Sequence, residues 1–542
     1  MPEQGRRDTR GKGRNSEGRG GGARAARLVE THASVLVFLA DHVYKVKKTQ
    51  NLGFADFRSL EARRAACHEE VELNRRLAPD VYLGVCEVTG PDGQPCDALV
   101  AMRRLPDTRR LARLVRRGHP VDDQLRQLAR KLAAFHTACE PTAETAAAGE
   151  PAALRGLWRT GLAALHRYVP AVLNAADIAD LERDAFRYLA GREDLFRQRQ
   201  DRGYVRDGHG DLLAEDIFCL DDGPRVLDCL EFDPLLRYGD VLADVAFLAM
   251  DLERLGRADL ARRFLDWYQE FAGISWPPSL EHYYIAYRAF VRCKVACLRW
   301  QQGDEGAALE ARELCTLAAR HLKRASVRLV LIGGLPGSGK STLAQALVAS
   351  VPEWSLLRSD VVRREMLADP PGPRREHPVD QGPYTPQARA AVYREMYRRA
   401  RSLLLQGTSV VLDASWTSAV QRGEAVRLAA ETSANLVELH CQVPPDVAAE
   451  RMARRAAGAA NPATAAREGA GGAAASAADP SDAGPPVYAA MAAAQDPWPT
   501  AVTVPTNRVA EALDIAEVAC GVDNEGDGGG PGPRRGRRAR RR

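Results

Sequence analysis

Lysine is scarce in this chain: only eight of its 76 basic side chains are lysine (12, 45, 47, 48, 131, 294, 323 and 340), so arginine is the routine surface cation. A lysine that persists against such a bias marks a place where a compact ammonium is wanted, and three of the eight fall together at 45 to 48. Long apolar runs are also missing. No stretch approaches the roughly 18 uninterrupted apolar residues that a bilayer-spanning helix needs, and the start lacks the apolar core of a secretory signal, so a cytoplasmic address without a membrane span is expected. The eleven cysteines have neither the C-x-x-C spacing of a zinc site nor the density of a disulfide scaffold. Cys293 and Cys297, one helical turn apart, read better as small apolar residues of one helix face than as metal ligands.

The net charge of +5 is unevenly placed. The Gly/Arg-rich ends, residues 1–27 and 521–542, together carry +9 and leave the rest at −4, which argues against a basic nucleic-acid-binding core. These tails are expected to be disordered; nonspecific contact with nucleic acid or acidic lipid is open to them, as is a plain solvated role. At 542 residues the chain exceeds a single core, and two or three domains are expected.

Val35–Leu39 and Val43–Lys47 read as two strands about a turn, and 59–77 as a helix ended by Pro79. A further strand is expected near 98–102. Helical periodicity fills 122–195, broken around 141–151; a β-rich patch covers 209–231, and 240–321 returns to helix. Strands with one helix, then mostly helices, predict a two-lobed α+β domain over 28–322. At Val327 the pattern changes to a buried-strand run entering a glycine loop. The alternating strands and helices that follow predict an α/β P-loop NTPase domain with a parallel sheet over 327–455, completed by 487–520. Between them, 456–486 is rich in Ala, Gly, Ser and Pro and reads as a mobile linker or lid.

Gly334-Leu-Pro-Gly337-Ser338-Gly339-Lys340-Ser341, followed by Thr342, satisfies G-x-x-x-x-G-K-[ST] between an expected strand and an expected helix. Glycines let backbone N–H groups turn inward onto phosphate oxygens, and the helix N-terminus adds its partial positive charge. Lys340 should reach the β and γ phosphates of ATP and Ser341 should ligate Mg2+. Val410-Val-Leu-Asp413 is an apolar strand ending in a carboxylate, the form of an aspartate that holds the magnesium shell. Leu356-Leu-Arg-Ser-Asp360-Val-Val-Arg363 resembles the small P-loop kinases of the gluconate kinase, polynucleotide kinase and zeta-toxin type. That resemblance implies Asp360 as the base that deprotonates the acceptor hydroxyl and Arg363 as a substrate clamp; a helix cap and a solvated arginine are the bland readings. Glu450-Arg451-Met-Ala-Arg454-Arg455 resembles the lid arginines of the same kinases, which assigns Arg451 and Arg455 to the phosphates, with a charged helix face as the alternative.

Gly208-His209-Gly210-Asp211-Leu-Leu-Ala-Glu-Asp216, followed by Val226-Leu-Asp228, resembles the HGDxxxxN and downstream aspartate of aminoglycoside phosphotransferase-like kinases, relatives of the protein kinases. The resemblance implies a catalytic Asp211 that accepts the hydroxyl proton, and Asp216 and Asp228 on Mg2+. The sequence departs from the family at Asp216, which stands where an asparagine is usual, and at Leu213, which replaces a frequent histidine. The extra charge beside Asp211 and Asp228 puts catalysis in doubt without removing metal binding. Val43-Tyr-Lys45 resembles the strand lysine that contacts ATP phosphates, with Lys47 competing on the same face, and Glu70 or its neighbour Glu69 is the expected partner. Asp240 and Asp244 read as scaffold acids at a helix start.

Together the two halves resemble a recurring bacterial architecture, an aminoglycoside phosphotransferase-like domain before a P-loop, gluconate kinase-like ATPase domain. The implied function is transfer of the ATP γ-phosphate to a hydroxyl of a small molecule or nucleic-acid end; the competing expectation is a noncatalytic nucleotide sensor. The residues identify neither the acceptor nor an oligomeric state.

Overall fold

The computed structural model describes residues 26–30, 33–51, 56–367, 385–460 and 485–522, without the side chains of 455–460, 485 and 486. The tails up to residue 25 and from 523, residues 461–484 of the expected linker, and the Arg455 side chain lie outside the described residues. Two compact units divide between Pro106 and Asp107.

The first unit is an antiparallel sheet with one helix. β1 (Arg27–Glu30), β2 (Ser34–Leu39), β3 (His42–Lys47), β4 (Tyr82–Thr89) and β5 (Pro95–Arg103) form it in the order β1-β2-β3-β5-β4, and α1 (Leu60–Arg75) lies between β3 and β4 in sequence. Ser59 starts α1 by accepting from the Ala62 amide at 3.1 Å, the N-cap arrangement that satisfies an orphan donor. The β2–β3 hairpin pairs Val37 with Tyr44 and Leu36 with Lys45, which puts Lys45 and Lys47 on one face.

The second unit opens with helices α2 (Leu111–Arg116), α3 (Asp122–Ala138), α4 (Ala143–Ala148), α5 (Pro151–His166), α6 (Ala175–Gly191) and α7 (Glu193–Asp201). The break expected around 141–151 contains α4, a single short helix closed by a reciprocal Thr142–Thr145 capping box. The β-rich patch resolves into two small ladders. β7 (Ile217–Leu220) pairs with β8 (Gly223–Val226), and β6 (Val205–Asp207) pairs with β9 (Tyr238–Asp240), 31 positions on from Asp207. α8 (Val241–Arg254), α9 (Ala258–Ala272), α10 (Pro278–Gln301) and α11 (Ala307–Ala325) complete the helical body. α8 is buried on nearly all its faces, with twelve consecutive buried residues from Val241 to Leu252, so it forms the centre of that body.

A parallel sheet follows. β10 (Arg328–Gly333), β11 (Ser355–Arg358), β12 (Val410–Asp413), β13 (Asn435–Gln442) and β14 (Val502–Pro505) lie in the order β11-β12-β10-β13-β14. Every residue of β10 and β12 is buried, as central strands covered on both faces must be. The helices are α12 (Lys340–Ser350), α13 (Ser359–Leu367), α14 (Pro386–Leu405), α15 (Ala419–Glu431), α16 (Pro445–Ala460), α17 (Pro485–Ala493) and α18 (Val509–Cys520). Antiparallel sheet, helical body and parallel sheet give the α+β kinase-like and α/β P-loop classes expected.

Helical body and parallel-sheet part meet within the second unit at close backbone range. A Cβ on Gly191 would come within 2.3 Å of Thr432 O, so no larger residue fits there. Next to it Arg192, 1% exposed, donates to Leu404 O at 2.8 Å and to Ser433 O at 3.2 Å, where α14 and α15 end. Ser279 Oγ donates to Gly407 O at 2.7 Å from the start of α10.

Candidate phosphate-transfer sites

The glycine loop leaves the carboxyl end of β10, the edge of a parallel sheet where ligands of such sheets collect. Gly337 has φ 80° and Gly339 φ 83°, a left-handed conformation that a side chain resists. At Gly337 the space is also closed, because a Cβ would stand 2.6 Å from Ala448 O. Gly334 opens the same loop (φ 147°) and lies against Ser338 Oγ. The chain turns directly into α12 at Lys340, with Ser341 and Thr342 in its first turn, so the loop amides and the positive end of the helix share one place.

Register brings the carboxylate. Asp413 pairs beside Ile332 on β10 and beside Arg358 on β11, at the same sheet edge as the glycine loop. It is 3% exposed and accepts from Arg358 Nε at 3.1 Å. Burial raises its pKa, opposed by Lys340, Ser341 and Arg358, while Asp360 adds to the rise. Asp413 Oδ1 and Ser338 Oγ are buried with no hydrogen-bond partner among the described residues. Unmet polar atoms of opposite preference, a carboxylate oxygen and a hydroxyl, suit a cation and an anion held together, and Ser341 with Asp413 is a hard-oxygen donor pair for magnesium.

Asp360 sits in the first turn of α13, two residues beyond the end of β11, and Arg363 one turn on donates to it at 2.6 Å. The expected base and the expected clamp are therefore each other's partner. Arg451 reaches the loop from α16, donating to Thr506 O at 2.8 Å and to Gly337 O at 3.4 Å. Arg454, its neighbour on the helix, is exposed and pairs with Glu450 at 3.5 Å.

In the first unit Glu70 is fully buried and receives two ammonium groups, Lys45 at 2.8 Å and Lys47 at 2.6 Å. Glu69 is exposed, so Glu70 is the paired acid. The two lysines differ in access: the Lys45 side chain is 13% exposed and that of Lys47 0%, so Lys45 keeps a route to a ligand.

The second constellation of the second unit is organised by α8. Asp244, 4% exposed, accepts from His209 N at 2.8 Å, Gly210 N at 2.9 Å and His136 Nε2 at 3.0 Å. Asp251, two turns on, accepts from Ala214 N at 2.9 Å. One helix thus clamps the loop around Asp211 at both ends. The β7–β8 hairpin does the rest: pairing Ile217 with Val226 places Asp216 and Asp228 at adjacent strand ends, joined by Leu227 N to Asp216 O at 3.0 Å. Asp228 adopts φ 64°, a strained left-handed state uncommon outside glycine and asparagine. Two carboxylates at neighbouring ends are the donor chemistry of a magnesium site completed by phosphate oxygens. Among the described residues no three His, Cys, Asp or Glu side chains gather as a metal cage by themselves.

Asp211 keeps 34% of its side chain exposed, yet desolvation by its surroundings pushes its carboxyl up to about 6; Arg292 opposes the rise and Asp228 reinforces it. Arg292 Nη1 stands 3.8 Å from Asp211 Oδ1. Reading by motif missed Arg292, Asp251, Arg358 and Trp416. Trp416 is fully buried at φ 54° and packs by its Cβ against the site of Gly333, a contact no periodicity reveals.

Among the described residues no helix is long and apolar enough to cross a membrane. Residues 329–475 match the model of a family described as an AAA domain. A choline/ethanolamine kinase family protein from Mesorhizobium loti is 13% identical with a TM-score of 0.34, covering 56% of this chain and 94% of its own. A gluconokinase from Sinorhizobium meliloti 1021 is 16% identical with a TM-score of 0.24, covering 36% of this chain and 91% of its own. Much nearer in sequence is the uncharacterized protein Rv2004c of Mycobacterium tuberculosis, 41% identical over 482 residues, which are 88% of this chain and 91% of the relative. A protein of Mycobacterium bovis matches to the same extent. Because that identity runs through the kinase-like part and the P-loop part alike, the chain belongs to the family of these mycobacterial proteins.

Proposed function

We propose that this protein is an ATP-dependent phosphotransferase with two kinase-like domains, 28–322 and 327–520, acting in the cytoplasm on the hydroxyl of a small molecule or a nucleic-acid end. The observation that carries the reading is the convergence at one sheet edge of the left-handed glycine loop, Lys340, Ser341 and the buried Asp413.

In the P-loop domain the amides of Gly334 to Ser341 grip the phosphates, with Thr342 in the following turn, and Lys340 neutralises the β–γ region. Magnesium held through Ser341 and Asp413 supplies electrostatic stabilisation of the phosphates when bound. Asp360 takes the acceptor proton as the hydroxyl oxygen bonds to the γ-phosphorus, the bridging P–O bond breaks and ADP departs. Arg363 orients Asp360 and the acceptor, and Arg451 faces charge that develops on the phosphoryl group. In the kinase-like domain Asp211 is the corresponding base and Asp216 with Asp228 the magnesium carboxylates; Lys45, held by Glu70, contacts phosphate. A carboxyl poised at about 6 is ionised at neutral pH yet basic enough to share a proton in transit.

Asp216 favours a second reading for the kinase-like domain, nucleotide sensing without transfer, because a third carboxylate beside Asp211 and Asp228 binds metal more tightly and disfavours a leaving anion. Calorimetric titration of the full chain and of Lys340→Ala and Asp228→Asn variants with Mg-ATP, followed by labelled-phosphate transfer to a metabolite panel, tests both. Two binding events, one removed by each substitution, are expected. Binding that survives the loss of Lys340 and Asp228 together would end the proposal, and two sites without transfer would leave the sensor.

A further inference from the structure

α10 carries two arginines one turn apart on the side that meets the Asp211 loop, and they are used differently. Arg288 is spent within the fold: its Nε donates to Ala243 O at 2.7 Å and its guanidinium lies 4.8 Å from the Phe247 ring. Arg292 is not. Its side chain is 21% exposed, it makes no hydrogen bond among the described residues, and its one ion pair there is the 3.8 Å approach to Asp211 Oδ1, beyond hydrogen-bond range. Other inward arginines of this body are engaged: Arg199 by Asp240, Arg237 by Asp207 and Leu230 O, Arg206 by four carbonyls. A guanidinium has five N–H donors in a planar fork, and here none is spent on a hydrogen bond among the described residues, so the fork is open to a ligand that enters beside Asp211.

We propose that Arg292 is a specificity-determining residue that receives an oxyanion, phosphate or carboxylate, carried by the hydroxyl acceptor of the kinase-like domain. The fork faces the same carboxylate that takes the hydroxyl proton, so a substrate whose hydroxyl meets Asp211 presents its neighbouring group to Arg292. A planar fork matches an oxyanion bidentately. The same positive charge repels an ammonium beside the hydroxyl, so polycationic amino sugars are disfavoured here. Arg288, fixed one turn earlier, holds α10 in place and adds to the positive potential without occupying the site.

This inference rests on the proposed phosphotransfer at Asp211, and its test separates the two. The full chain carrying Lys340→Ala, saturated with the nonhydrolysable Mg-AMPPNP so that the γ position is filled, is titrated with inorganic phosphate and, separately, with acetate. At least a tenfold loss of phosphate or acetate affinity is expected for Arg292→Ala, a smaller loss for Arg292→Lys, and no change in AMPPNP affinity for either. Whichever anion binds tighter identifies the acceptor group. Arg292→Gln is the second variant should the alanine form fail to bind AMPPNP. Anion affinity that is absent, that ignores Arg292, or that vanishes once AMPPNP is present overturns the proposal, the last because Arg292 would then serve the γ-phosphate. Failure of the Lys340→Ala chain to bind AMPPNP at all would instead overturn the underlying reading.

Discussion

Replacing Asp244 should unravel the loop that carries Asp211, and the size of the effect follows from what the carboxylate holds. Its two oxygens accept from two buried backbone amides and from His136, which is itself anchored to Tyr268 OH at 2.7 Å. In Asp244→Ala the amides of His209 and Gly210 lose their acceptor inside the body, at about 1–3 kcal/mol each, and a buried charge network loses its anion; about 3–5 kcal/mol is expected in all. Asp244→Asn keeps one acceptor oxygen and turns an N–H group toward the other donor, so about 1–3 kcal/mol is expected.

The pH dependence gives a second handle on the same residue. Burial alone would raise the Asp244 pKa, but the His136 hydrogen bond and charge, with His209 and Arg288, hold it well below the carboxylate range. A folded-state pKa below the unfolded one means that the stabilisation is present above about pH 4, the unfolded value, and fades as pH falls toward the folded value. Urea unfolding of full-length wild type and both variants at pH 7 and at about pH 2.5 is the assay, because the loss sets in only below the unfolded pKa. The gap between wild type and Asp244→Ala should be large at pH 7 and smaller at about pH 2.5. A gap under about 1 kcal/mol at pH 7, or one that widens in acid, would refute the reasoning.

Transfer by the kinase-like domain, followed in a Lys340→Ala background, should fall in acid with an apparent pKa of about 6 as Asp211 takes up a proton. Gly337→Ala should cost at least about tenfold in Mg-ATP affinity of the P-loop site in titration, with little change in circular dichroism, because its Cβ meets a backbone carbonyl and its φ is left-handed. Arg192→Ala should cost about 2–4 kcal/mol and split one calorimetric transition into two, since Leu404 O and Ser433 O lose their buried donor between the helical body and the parallel-sheet part. Arg192, whose burial already lowers its pKa to about 10, has no carboxylate partner among the described residues, so the loss falls on those carbonyls.

Whatever depends on neighbours in the chain was legible from residues alone. The glycine loop with Lys340 and Ser341 works through consecutive backbone amides, so its residue order is its geometry, and the apolar runs of β10 and β12 announce strands buried on both faces. The same holds for Lys45 and Lys47, which strand alternation puts on one face. Which of Glu69 and Glu70 meets them is decided by how α1 rolls against the sheet, and only packing shows that Glu70 turns inward.

Folding alone decided the partnerships that span long separations. Asp244 clamps His209 and Gly210 from 35 and 34 positions away, and Arg292 approaches Asp211 from 81. Arg192 closes on Leu404 and Ser433 from more than two hundred. In a chain whose surface cation is nearly always arginine, none of these differs in composition from a solvated neighbour. Burial makes the difference, because a charge removed from water must find its partner or wait for a ligand, and burial is a property of the packed molecule rather than of residue order.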